Sequence, residues 1–232
     1  MLGYLIWRGA GRPRVVRERR AIGGVWFQVL EARGGGRRIV RRVRRAVEEM
    51  RANGVRRCVA EPDWPAEWGE GLQPVGEERL RCAILPQLLD WLAEQKGLHL
   101  SGATVELTAP WADKPVREAA RLLSRRCRYL RLDMDGADAL REELWRRYGI
   151  AAGSAGSPAS LQICFGEPTG DAPALLLGPG CGQLQRVEYT IPEALTEDLN
   201  PYPVTSQLVA ALWECGAVKT EEIRLKSLDF HA

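Results

Sequence analysis

Between residues 103 and 165 the chain switches repeatedly between two hydrophobic periods, and nothing else in it restricts the fold as strongly. Short apolar runs bounded by turn residues at 103–109, 128–133 and 160–165 have the length and composition of buried strands. In 114–127, Val116, Ala119, Ala120, Leu123 and Cys127 recur at i, i+3, i+4, i+7 and i+11, a helical period, with Asp113 placed to cap and Pro115 in the first turn. In 137–148, Ala137, Leu140, Leu144 and Tyr148 repeat it, and Gly149 stands where a left-handed C-cap is needed. Strand, helix, strand, helix, strand in that order requires parallel strands joined by right-handed crossovers.

The predicted class is therefore α/β, with a mixed, largely parallel, doubly wound sheet that is degenerate Rossmann-like over residues 100–190. The N-terminal part is expected to be more antiparallel, with strands near 3–8, 14–19, 25–31 and 55–61. Further strands are expected at 173–177, 184–191 and 222–229, and further helices at 84–96 and 204–215, which end at Gly97 and Gly216. The Trp-, Pro- and Gly-rich stretch 61–76 is expected to be a long surface loop. Two parts are anticipated, 1–100 and 101–232, or one continuous domain.

The opening MLGYLIW is too short and lacks the basic flank of a secretory signal or membrane span, so a cytoplasmic protein without membrane insertion is expected. Six cysteines (Cys58, Cys82, Cys127, Cys164, Cys181, Cys215) lie far apart with no CxxC, and the two histidines are His99 and His231. That spacing fits free thiols and gives no metal site.

Catalytic motifs are incomplete. A dinucleotide site needs a glycine-rich turn after the first strand, so that bare backbone can meet the pyrophosphate at a helix N-terminus. The corresponding turn reads TAPWADKP, without glycine, although Asp133 stands where the ribose-binding acid belongs. No cofactor is expected. The stretch YLRLDMDGAD, an apolar strand followed by DxDG, is similar to the first motif of the haloacid-dehalogenase-like phosphohydrolases, and ICFGEPTGD to their acidic metal motif. The resemblance implies Asp133 as nucleophile, Asp135 as general acid and base, and Glu167 and Asp171 as magnesium ligands. Ala137 departs from the threonine or valine of that motif, and the chain has no lysine between Lys114 and Lys219. The glycines of 178–182 precede an alternating run and fit a hairpin turn. No Ser–His–acid arrangement is assembled by GIAAGSAGSPAS and two distant histidines.

Charge is the sharper signal. Residues 1–57 hold 16 arginines and four acids, while the rest of the chain holds 17 basic and 26 acidic residues. Of 33 basic residues only four are lysine, a bias that a GC-rich genome or a need for guanidinium forks would each produce. On a helix through 37–51, Ile39, Val40, Val43, Ala46, Val47 and Met50 form one apolar stripe, and Arg37, Arg38, Arg41, Arg42, Arg44, Arg45 and Arg51 occupy the other side. Glu48 and Glu49 are spaced to pair with Arg44 and Arg45, but the first four arginines have no partner within the helix. They crowd the end where the macrodipole is already positive.

The leading expectation is a non-catalytic, degenerate Rossmann-like protein with a structural or regulatory role through a protein partner. The alternative is a module, or an enzyme, for a small phosphate or nucleotide ligand held by Gly34, Gly35, Gly36, Arg37, Arg38, Arg41 and Arg42. The third is a weak, nonspecific nucleic-acid binder, disfavoured because Tyr4, Trp7, Trp26 and Phe27 lie in apolar strands and are expected in the core instead of on a stacking surface.

Overall fold

A computed structural model describes residues 1–153, 159–168, 172–178, 187–200 and 202–228. The chain divides into two compact units, 1–77 with 188–224, and 78–187 with 225–232. The division falls after Glu77 instead of residue 100, and a late segment returns to the first unit.

The first unit is built on strands β1 (Leu2–Trp7), β2 (Arg14–Ile22), β3 (Val25–Arg33), β4 (Arg57–Ala60) and β5 (Gln73–Pro74), ordered β2-β3-β1-β4-β5. Its antiparallel character is confined to β2 and β3, whose register closes at Ile22 and Val25 around Gly23 and Gly24. Both glycines have positive φ (55° and 77°), as the tight hairpin turns that match strand twist require. β1 lies parallel to β3 and to β4, and β4 parallel to β5.

Helix α1 (Arg37–Ala52) crosses from β3 to β4 and lays Ile39, Val43, Ala46, Val47 and Met50 onto Leu5, Leu30, Ala32 and Cys58, as its apolar stripe dictates. The expected surface loop packs into this same core. Trp64 and Trp68, the latter in the 3-10 turn Ala66–Gly69, are buried. Trp68 meets Trp7 and Trp64 edge-on at centroid distances of 6.4 and 5.9 Å. Prolines and glycines favour a loop here, but the area two indoles remove from water draws the segment onto the core. The other sheet face buries Tyr4, Ile6, Phe27, Val29 and Val59. On that side, Tyr4 touches Tyr202 at 5.5 Å, and the unit also includes α6 (Glu193–Leu199) and α7 (Ser206–Glu214).

The second unit begins with α2 (Glu78–Ala83) and α3 (Leu85–Gln95). Its sheet comprises β6 (Thr104–Trp111), β7 (Tyr129–Asp135), β8 (Leu161–Cys164) and β9 (Ala174–Leu176), all parallel and ordered β7-β6-β8-β9. Helices α4 (Lys114–Leu123) and α5 (Ala137–Tyr148) are the crossovers. After α5 the chain returns to the outer edge of β7, where Gly153 forms a single parallel bridge to Arg131. The Gly153 bridge holds the place of a third strand. Sheet order outward from β6 is thus second and third strand on one side, β8 and β9 on the other, which is Rossmann-like with its third strand reduced to one residue. Strands β10 (Val187–Thr190) and β11 (Arg224–Leu228) stand outside both sheets, and residues 184–186 and 229 of their expected spans lie outside the described residues. No helix among the described residues is long and apolar enough to cross a membrane.

Candidate functional site

The N-terminus of α1 follows directly on β3. Gly36 is its N-cap, with φ 85°, and no side chain caps the helix; only the Ile39 and Val40 amides bond back to the Gly36 carbonyl, at 3.1 and 3.2 Å. The first turn contains no acid. Gly34, also at positive φ, is fixed by its neighbours, because its amide donates to the Gly9 carbonyl at 2.8 Å and a Cβ there would come within 3.0 Å of the Gly11 carbonyl oxygen. It is a packing glycine, whereas Gly35 faces open space.

The arginines of α1 separate into two stripes. Arg37, Arg41, Arg44 and Arg45, with Gly36 and Glu48, line an open depression of about 800 Å³. Arg38 and Arg42 share a helix flank with Arg45 and Glu49, at spacings of four, seven and eleven residues from Arg38, and that flank meets β2 through the Arg17–Glu49 ion pair. Glu49 also accepts from Arg45 at 3.1 Å, and the Arg17 hydrogen bond holds its carboxyl below the usual range. The expected Arg44–Glu48 pair does not form. Among the described residues Arg37, Arg38, Arg41, Arg42 and Arg44 are exposed and have no ion pair. Of the seven site residues anticipated from sequence, Gly36, Arg37 and Arg41 therefore share one depression, and Gly34, Gly35, Arg38 and Arg42 stand outside it.

Edge strand β2 extends the cationic surface. Arg14, Arg17 and Arg19 are exposed and line, with Gln28 of β3, a second depression of about 600 Å³. Gln28 is buried, and its Oε1 has no hydrogen-bond partner. Trp26, expected in the core, is 59% exposed. Its one marker in the chain is its place near the hairpin end of an edge pair, where burial on both faces is not available.

A third cluster escaped sequence reasoning. Glu61 follows β4 and is buried, with Oε1 unpartnered. Burial raises its pKa, the Arg8 guanidinium opposes that shift, and Asp63 and Glu31 add to it. Arg8 lies 3.6 Å from Glu31 and 5.4 Å from the Tyr202 ring centroid, while Arg20 sits 4.8 Å from the same ring and donates to the Asp198 and Asn200 carbonyls. The signal that could have found it is an acid at the C-terminal end of a parallel strand.

In the second unit the turn after β6 is closed to a pyrophosphate. Asp113 caps α4 by accepting from the Val116 amide at 3.1 Å, the Arg117 amide bonds the Asp113 carbonyl, and Pro115 has no N–H. A carboxylate occupies the helix end where a phosphate would need free donors. Asp133 and Asp135 lie on β7 and Glu167 is exposed, while Asp171, residues 179–182 and His231 lie outside the described residues. Among the described residues no three His, Cys, Asp or Glu side chains converge as metal ligands. Cys58, Cys82, Cys127 and Cys215 are free.

No family model matches the chain, and no curated protein matches it. Among solved structures it is similar to L-tryptophan dehydrogenase from Nostoc punctiforme, at 11% identity and a TM-score of 0.41 over 84% of this chain. The match spans 63% of the dehydrogenase chain, and a likeness this slight bears on neither activity nor site.

Proposed function

We propose that the chain is a binding module, not a catalyst, and that its first unit engages an extended polyanionic partner through the outer face of α1 and the adjoining edge of β2. The observation that carries this reading is the set Arg37, Arg38, Arg41, Arg42 and Arg44, exposed and without ion pairs among the described residues, on a helix end with neither cap nor acid. Arg37 and Arg38, in the first turn, are opposed by the dipole, and all five are opposed by their neighbours; a polyanion reverses both terms at once. Arg37, Arg41 and Arg45 succeed one another by four residues, about 6 Å of helix rise, so their charges form a row suited to a row of anions. A single phosphate at Gly36 would engage only Arg37 and Arg41 and leave Arg38, Arg42 and Arg44 uncompensated.

Heparin affinity tests the proposal. Wild type should be retained at low salt and released steeply as salt rises, and replacing Arg37, Arg38, Arg41 and Arg42 by glutamine should abolish most of the retention. Equal retention of the two proteins would refute it. A wild-type Tm raised by millimolar inorganic phosphate at constant ionic strength, with no heparin binding, would favour the small-anion alternative at Gly36.

A further inference from the structure

Resting on the polyanion reading, we infer that the partner is single-stranded nucleic acid, with the phosphodiester chain on the arginines of α1 and β2 and an unpaired base stacked on Trp26. Register places the parts together. Val15, Leu30 and Ala32 pack into the core beneath α1, so the residues alternating with them on the same sheet face are Arg17, Arg19 and Ala21 of β2 and Gln28 and Trp26 of β3. Trp26 stands directly opposite Ala21, whose methyl group is too small to cover an indole, and diagonal to Arg19, within reach of a long side chain. Gln28 stands opposite Arg19, buried, with Oε1 lacking a partner.

The chemistry distinguishes this partner from other polyanions. Guanidinium groups serve any row of anions, but an indole 59% exposed among them gives an acidic peptide or a sulfated sugar little to bind. Every nucleobase has a π-face that stacks on tryptophan, and a duplex keeps those faces inside its stack. Arg19 beside the ring adds a cation to both the base and its phosphate.

The test is fluorescence anisotropy at low salt with a labelled oligothymidylate of about 15 nucleotides, near the upper site size of single-strand binders. An abasic strand of the same length, a duplex and polyglutamate are the comparison ligands. Trp26→Ala, with folding checked by circular dichroism, should bind the oligothymidylate roughly five- to 150-fold more weakly. Trp26→Phe should recover most of that loss, and neither change should alter affinity for the abasic strand or polyglutamate. Trp26→Ala binding the oligothymidylate like wild type overturns the inference, as does tighter binding of polyglutamate or of duplex; the polyanion face then stands without it. Failure of every one of these ligands to bind at low salt removes both.

Discussion

Replacing Arg37, Arg38, Arg41 and Arg42 by glutamine should stabilise the free protein, and the structure sets the size of the effect. Arg37 and Arg38 occupy the first turn of α1, where no acid and no side-chain cap offsets the dipole. At roughly 0.3–1 kcal/mol for each exposed charge, removing both gains about 0.6–2 kcal/mol at low ionic strength. Arg41 and Arg42 lie past the first turn, but Arg37–Arg41, Arg38–Arg42 and Arg41–Arg45 are like-charge i, i+4 pairs, each unfavourable by about 0.2–0.5 kcal/mol. Glutamine and arginine have nearly equal helix propensity, so the backbone contributes little. The sum is about 1.2–3.5 kcal/mol, or a rise in Tm on the order of 2–14 °C for a chain of this size. Differential scanning fluorimetry at about 10 mM and about 1 M sodium chloride separates the cause, because at the higher salt the Debye length is only about 3 Å and the gain should vanish. A quadruple variant less stable than wild type at both salts would refute the reasoning. It would mean that the aliphatic stems cover the core beneath α1 and contribute more than their charges cost.

Three further outcomes are expected. Trp68→Ala removes an indole buried between Trp7, Trp64 and α1 and should cost about 3–5 kcal/mol; a loss below about 1 kcal/mol in urea unfolding would show that the 61–76 segment is peripheral after all. Glu61 has a raised folded-state pKa, so its contribution is most favourable below the unfolded value of about 4.3 and is lost as pH rises through the folded value. Glu61→Gln should therefore be more stable than wild type at pH 7, with the two melting curves converging near pH 4; divergence at low pH would contradict the burial argument. Alkylation of the native protein at pH 8 should modify exposed Cys215 ahead of Cys58, Cys82 and Cys127, whose thiols burial pushes up to about 11; peptide mapping showing Cys58 labelled first would count against the packing of β4.

Most of the elements were legible because their signals are local. The spacing of Val116, Ala119, Ala120 and Leu123 is the buried face of α4, Asp113 is its cap, and Gly149 ends α5 at φ 68°. The apolar stripe of α1 likewise determines which side of that helix the arginines occupy. What remained hidden depends on partners distant in sequence. Trp64 and Trp68 sit among prolines and glycines, and only the arrival of α1 over β1 makes burying them favourable. Conversely, Trp26 alternates correctly for a core strand but lies past the part of the sheet that α1 covers. Glu61 reads as an ordinary strand-end acid until the 202–207 segment closes on the same side, where Tyr4 donates to the Pro203 carbonyl and the Ala60 amide donates to Gln207.

The two units share a sheet-and-crossover architecture and differ in what each leaves at the ends of its strands. In the second, the turn after β6 commits its helix-end donors to Asp113, and its neighbouring arginines are neutralised locally: Arg121 donates to Glu143 at 2.8 Å, and Arg117 lies 3.7 Å from the same carboxylate. In the first, the turn after β3 leaves the helix end uncapped and most of its arginines unpaired. A fold of this type supports ligands at the ends of its strands only where donors and charge remain free. By that criterion the polyanion site proposed above falls in the first unit, where the row of guanidinium groups is longer than a single phosphate can span.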